Sequence, residues 1–172
     1  MTRMTRPAQV SSVDLQLRLL TRGEAERVVR RRRKDSIDLP WADGYPLEGD
    51  SRACASYVSH LPMSTGSDGH DAFGYYQIVE AGVVIGGIGF HGRPRHGVVE
   101  IGYGVVPSAR ERGVATTALR MIIGLAAQFE GVRQVVGRTS EDNVASQRVM
   151  LAAGMRFTGR DPEFLHYELD LE

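Results

Sequence analysis

In the run Val13–Thr21, "VDLQLRLLT", apolar residues alternate with polar ones. A period of two puts Leu15, Leu17 and Leu19 on one face of an extended chain, so a strand is expected. Thr21 with Glu24 three residues on is a capping-box pair, and Thr21–Ser36 reads as a helix. Trp41–Asp50, "WADGYPLEGD", concentrates Gly, Pro and Asp and reads as a loop. Ser51 caps a second expected helix through Leu61, and residues 62–72 form another loop. From Phe73 the texture changes. Phe73–Gly82, Val83–Gly92 and Val98–Pro107 are β-branched and aromatic, with Gly-rich turns between them, which predicts an antiparallel meander. Thr116–Phe129 carries apolar residues at helical spacing, Val132–Ser140 reads as a strand, and Asn143–Met155 as a helix stopped by Gly154. Met155–Arg160 and Glu163–Leu171 close the chain as two strands. The order β-α-α-β-β-β-α-β-α-β-β implies a mixed sheet with helices on both faces, an α/β or α+β layered domain.

Composition narrows the picture. The 172 residues favour one domain spanning 1–172, and 42% hydrophobic residues are enough for a sizeable core. Lys+Arg and Asp+Glu are both 21, so net charge gives no support to a nucleic-acid or membrane partner. The single cysteine, Cys54, excludes an internal disulfide framework and fits a reducing compartment. "MTRMTRPAQVSS" at the N-terminus lacks the apolar segment of a signal peptide, and no apolar run approaches bilayer-spanning length. A cytoplasmic globular domain is expected.

The densest chemistry lies in "VVPSARERGVATTAL", Val105–Leu119. Pro107 ends a strand because it has no N–H for the ladder. Gly113, Val114 and Ala115 stand where a helix begins, and the first N–H groups of a helix have no internal partner. A turn of small residues lets phosphate oxygens approach those groups, and Arg110 and Arg112 add cationic contacts. The stretch is neither a P-loop nor a dinucleotide fingerprint. Read alone, it is equally a solvated turn. A second signal is "TSEDNVASQRVMLAAGMRF", Thr139–Phe157, where Asn143 follows a strand and Ser146 lies on the next helix. Singly, Asn143 is a helix cap and Ser146 a surface residue.

Together, and in this order, "V-x-P-x-x-R-x-R-G-x-A-T" and "N-x-x-S-x-x-V-x-x-x-A-G-M-x-F" resemble the GCN5-related N-acetyltransferase (GNAT) superfamily. The finer texture is similar to its branch of ribosomal-protein N-terminal alanine and serine acetyltransferases. The likeness runs from about Phe73 to Asp170 and is looser before that. One departure is Thr117, where family members often carry Glu. The resemblance implies a central, mostly antiparallel twisted sheet, splayed at a cofactor cleft, with helices on both faces. It implies acetyl-CoA as cosubstrate, no metal, and an amine acceptor. The pantetheine arm would meet the backbone at Val105, and the pyrophosphate the N–H groups of Arg112, Gly113, Val114, Ala115 and Thr116, with Arg110 nearby. Asn143 would contact the pantetheine region.

Acetyl transfer to an amine needs a neutral amine, a polarised thioester and a proton for the departing thiolate. Glu100, in "VVEIGY", matches a position that serves as base in some relatives; otherwise it is a strand carboxylate facing the cleft or solvent. Tyr103 on the same strand is the runner-up. Where many members carry an acidic Tyr, seven past Asn143, this chain has Met150, and the resembling branch offers Ser146 as the substitute. The run Arg30–Lys34 reads as a solvated helix end, Phe90–Gly97 as a hairpin loop beside the cleft, and Cys54 as an inert helix residue. Trp41 and Tyr45 either line the acceptor pocket or pack as ordinary aromatics. The reading is an N-acetyltransferase working by direct transfer in a ternary complex. Its rivals are a non-catalytic acyl-CoA-binding sensor and a docking module led by the Arg run. The oligomeric state stays open between monomer and homodimer, and the acceptor between a protein N-terminus and a small-molecule amine.

Overall fold

The structure, a computed structural model, describes residues 10–12 and 15–172. Val13, Asp14 and residues 1–9 of the N-terminal stretch read above against a signal peptide lie outside the described residues. The elements run β1 (Val10–Ser12), β2 (Leu15–Leu19), α1 (Arg22–Val29), α2 (Glu48–His60), β3 (Tyr75–Glu80), β4 (Val83–Phe90), β5 (Val98–Val105), α3 (Val114–Ala126), β6 (Gln134–Thr139), α4 (Val144–Ala152), β7 (Arg156–Arg160) and β8 (Leu165–Asp170). One sheet joins the strands in the order β1-β2-β3-β4-β5-β6-β8-β7. Every neighbouring pair is antiparallel except β5 with β6. The expected meander is β3–β4–β5, and β1 adds a strand to the expected order.

The capping box at α1 forms as its residues require: Thr21 N–H donates to Glu24 Oε2 at 2.8 Å and Glu24 N–H to Thr21 Oγ1 at 3.3 Å. The helix ends at Val29, well short of the expected Ser36. Arg31 N–H returns to Val28 O and Arg32 N–H to Arg27 O, both at 3.0 Å, with Arg31 at φ +52°. This is a Schellman stop carrying Arg where Gly is usual. Beyond it Arg27 grips Asp38 with two bonds of 2.7 and 2.6 Å, and Lys34 N–H donates to the same carboxylate. The all-polar run 30–36 offered no apolar stripe to hold a longer helix against the core. Ser51 is not a cap. The second helix starts three residues earlier, at Glu48, and Asp50 Oδ2 accepts the Leu47 N–H at 2.7 Å.

The centre of the sheet is buried on both faces. Ile78, Val84 and Ile88 are fully buried, as are Ala118 and Ile122 of α3. Side-chain alternation assigns the faces. Gly87 pairs with Gly104 and Gly89 with Gly102. A Cβ at Gly87 would stand 2.5 Å from Asp50 Oδ1 of α2, and one at Gly104 would stand 2.9 Å from Leu47 Cδ1. The even-numbered residues of β5 therefore face the α2 side. Tyr103 faces the other way and its hydroxyl reaches Ser146 of α4.

The parallel pair positions everything that follows. Only Val98–Glu100 of β5 pairs with β6, against Gln134–Val136. From Ile101 to Val105, β5 is paired with β4 alone, while Gly137–Thr139 of β6 go on with β8. The sheet splits at Glu100.

Candidate active site

The split leaves one edge of β5 open. His91 N–H donates to Glu100 O at 2.8 Å, and Val106 N–H to Ile85 O at 2.9 Å. The main-chain groups of the even-numbered residues thus belong to β4. Alternation turns those of Ile101, Tyr103 and Val105 toward the side that β6 has left. Val105 O accepts there from Arg110 Nε at 3.2 Å.

At the end of this open edge the chain makes a single 3-10 turn, Pro107–Ala109, and enters α3. Glu111 takes φ +59° and Gly113 φ +77°, so the turn is left-handed immediately before the helix. Gly113 is the N-cap and supplies no side-chain bond. The first helical return is Thr117 N–H to Gly113 O at 3.0 Å. The N–H groups of Val114, Ala115 and Thr116 accordingly have no partner within the helix, at the positive end of its dipole. A Cβ at Gly113 would meet nothing within 4 Å, so the approach is open. The helix begins two residues before the expected Thr116. Arg112 points its guanidinium at Glu80, 2.7 Å away, so its contribution at the helix start is its main chain.

Asn143 caps α4: its Oδ1 accepts the Ser146 N–H at 3.1 Å. Ser146 Oγ lies 2.8 Å from Tyr103 Oη, and the same phenol donates to Ser146 O at 3.2 Å. Burial is the main cause that pushes the Tyr103 phenol up to about 12, so it is protonated at neutral pH. Met150 is buried, its terminal methyl against Gly137. It is a packing residue.

Glu100, last of the residues paired to β6, lies on the opposite face. His91 Nδ1 and Arg138 Nε come within 3.2 and 2.8 Å of its Oε1. Neither approach has hydrogen-bond geometry: Arg138 gives Glu100 an ion pair, and His91 would add to it only when protonated. His91, then Arg138, hold this carboxyl below its usual range against the opposing effect of partial burial. The residues expected to act together thus divide between two faces: Tyr103 and Ser146 on one, Glu100 on the other.

His91 had been read only as part of a loop. Its signal was the hairpin register, which depends on where the turn closes between β4 and β5. Of the other residues, Tyr45 is buried and stands edge-on to Trp41 with centroids 5.2 Å apart, so this pair packs. Cys54 is fully buried, and burial pushes its thiol up, which makes it inert. In the Arg run, Arg31 donates to Pro46 O at 2.9 Å and Arg33 pairs with Asp35.

A strand split from its parallel neighbour, running into a glycine-capped helix start, is a geometry that known families can be compared against. The sequence profile described as "Acetyltransferase (GNAT) domain" matches residues 14–156. The chain belongs to the GNAT acetyltransferase family. Within GNAT proteins, the uncharacterized N-acetyltransferase YjdG of Bacillus subtilis (strain 168) is 31% identical over 85 residues, 49% of this chain and 51% of that protein. The match spans about half the length of that curated relative. Among solved structures, RimL, a ribosomal L7/L12 alpha-N-protein acetyltransferase in complex with coenzyme A, superposes with a TM-score of 0.67 at 16% identity. It covers 95% of this chain and 98% of its own. The ribosomal-protein-S5-alanine acetyltransferase of Vibrio fischeri superposes at 0.64 with 14% identity over 95% and 96% of the two chains. At these identities the shared property is the GNAT fold.

Proposed function

We propose that the protein is a cytoplasmic N-acetyltransferase that moves the acetyl group of acetyl-CoA directly to a primary amine in a ternary complex. The observation that carries this reading is the split at Glu100. It combines an open strand edge, a helix N-terminus at its end, and proton-handling groups of opposite kind on its two faces.

Acetyl-CoA would fill the gap as a substitute strand. Val105 offers main-chain groups to the pantetheine arm, and Asn143 lies at the start of α4 across the gap. The N–H groups of Arg112, Gly113, Val114, Ala115 and Thr116 suit the pyrophosphate, because unpartnered N–H groups and the helix dipole both favour an anion. The exposed Arg110 adds charge. The family fit is physical: a cofactor held by main chain needs small side chains, and Gly113 leaves open space.

The Tyr103–Ser146 pair serves the departing thiolate. Met150 stands where many relatives carry a tyrosine, which would favour a non-catalytic sensor. Here a phenol arrives from β5 instead, and it holds its proton at neutral pH. The amine approaches from the Glu100 face. Most of the rate would come from holding amine and thioester in line within the split.

The test is acetyl-CoA binding followed by thiol release. Acetyl-CoA at about 100 times its Kd should stabilise the fold by about 2.7 kcal/mol and raise the melting temperature. Free thiol should then appear with at least one amine in a set containing N-terminal Ala and Ser peptides and polyamines. Gly113→Asp should abolish the stabilisation while leaving the fold intact, since Asp tolerates a left-handed backbone and puts a carboxylate where phosphate would sit. No melting shift with the wild type would end the cofactor assignment. A shift without turnover would leave the sensor.

A further inference from the structure

We propose that His91, rather than Glu100, takes the proton from the attacking amine, with Glu100 as the residue that positions it. This rests on the amine-acetylating function above.

Four observations converge on His91. Its main-chain N–H bonds Glu100 O, so the two side chains are cross-strand neighbours on one face. The ring leans diagonally along β5 from Glu100 to Gly102. A Cβ at Gly102 would stand 2.5 Å from Nε2, so only glycine leaves room for the ring there. Nδ1 lies 3.2 Å from Glu100 Oε1, outside hydrogen-bond geometry, and the negative charge beside it favours the proton on that nitrogen. Nε2 is left with its lone pair, above the first stretch of β5 that has lost β6. The imidazole is 45% exposed, so an amine can reach it.

Glu100 is less suited to the task. Arg138 from β6 and His91, just past the end of β4, both crowd Oε1 and stabilise its charge. A carboxylate held below its usual range is a weak acceptor for an amine proton. An imidazole is the side chain that changes charge nearest neutral pH. The charged groups facing the ring are Glu100 directly and Arg138 through it. Arg93 of the adjoining loop is turned to Asp71.

The step balances as follows. The neutral amine attacks the thioester carbonyl carbon and a C–N bond forms. The amine proton passes to His91 Nε2. The C–S bond breaks, and its electron pair leaves with sulfur, which takes a proton from the Tyr103–Ser146 hydroxyls. Solvent restores that proton and removes the one on the imidazolium, whose charge meanwhile faces Glu100.

Three measurements on the full chain test the assignment. Thiol release from acetyl-CoA is followed with an N-terminal Ser peptide and with spermidine. His91→Ala should lower turnover about 10²-fold, leave the acetyl-CoA melting shift unchanged, and recover in part with added imidazole. Glu100→Gln should cost less and loosen the tautomer of the ring, because the ring keeps its base but loses its orienting charge. The tautomer is read with no acceptor at all: 15N shifts should put the neutral proton of His91 on Nδ1. Wild-type turnover in His91→Ala overturns the proposal, as does a neutral proton found on Nε2 or a Glu100→Gln loss exceeding that of His91→Ala. A wild type that binds acetyl-CoA but acetylates neither amine overturns it as well. A wild type with no acetyl-CoA shift instead removes the function on which it rests.

Discussion

The two faces of β5 hold titrating groups in opposite environments. On one, Glu100 sits beside His91 and Arg138, part-buried, and its charge is favoured. The two glycines that follow, Gly102 and Gly104, strip that face of side chains. On the other, Tyr103 is tucked against Ser146, and burial favours its neutral form. Environments that push titrating groups apart in this way suit the proposed division into a proton-accepting side and a proton-donating one. The separation costs no extra element: adjacent residues of one strand point in opposite directions, and the split beside them connects the faces.

The largest expected effect comes from filling the glycine face. Gly102→Leu puts a side chain where His91 Nε2 lies, so transfer should fall by about 10²-fold or more through misplacement of the reacting groups. Acetyl-CoA should still raise the melting temperature, since its proposed contacts lie elsewhere. Equal loss of binding would mean that the faces are not independent.

A smaller effect belongs to the hydroxyl face. Ser146→Ala and Tyr103→Phe should each lower turnover by at most about 10²-fold at every pH. Residues in contact should not add, so the double mutant should lose little more than the worse single one. Full additivity, measured in a double-mutant cycle on turnover, would separate the two hydroxyls.

The smallest effect is on stability. The Glu100 carboxyl is held below its usual range in the fold, so its ion pairs stabilise the protein above the unfolded pKa of about 4.3. That contribution is lost as pH falls through the folded value. The side chain is 29% exposed and its partners more so, so solvent screening should hold the contribution to under about 1 kcal/mol. Urea melts of wild type and Glu100→Gln should differ by that amount near neutral pH and converge in acid. A constant difference would assign the effect to packing.

What was legible along the chain depended on local signals. The Thr21–Glu24 box needs only two residues at fixed spacing, and it formed. The β3–β5 meander needs only β-branched runs and glycine turns, and it formed too. The Arg30–Ser36 overrun has a different cause. The run has no apolar stripe to hold it on the core, and the stop at Arg31 is accompanied by the grip of Arg27 on Asp38, eleven residues along. The early start of α2 is similar: Asp50 could not be told from a loop residue until Leu47 was seen donating to it. At the site, Asn143 and Ser146 were visible as a spaced motif, while the phenol that bonds Ser146 comes from a strand forty-three residues earlier.

By itself the sequence determined the kinds of elements and their order from β2 onward, the glycine-capped entry to α3 and, through its two motifs, the family. Those are properties of neighbours along the chain, where backbone preference and side-chain period act directly. Tertiary structure alone decided where β5 parts from β6, that His91 lies against Glu100 above Gly102, and that Tyr103 meets Ser146. Each depends on strand register or on segments brought together from afar. A shift of one residue in the register of β5 would have sent Glu100 and Tyr103 each to the other face.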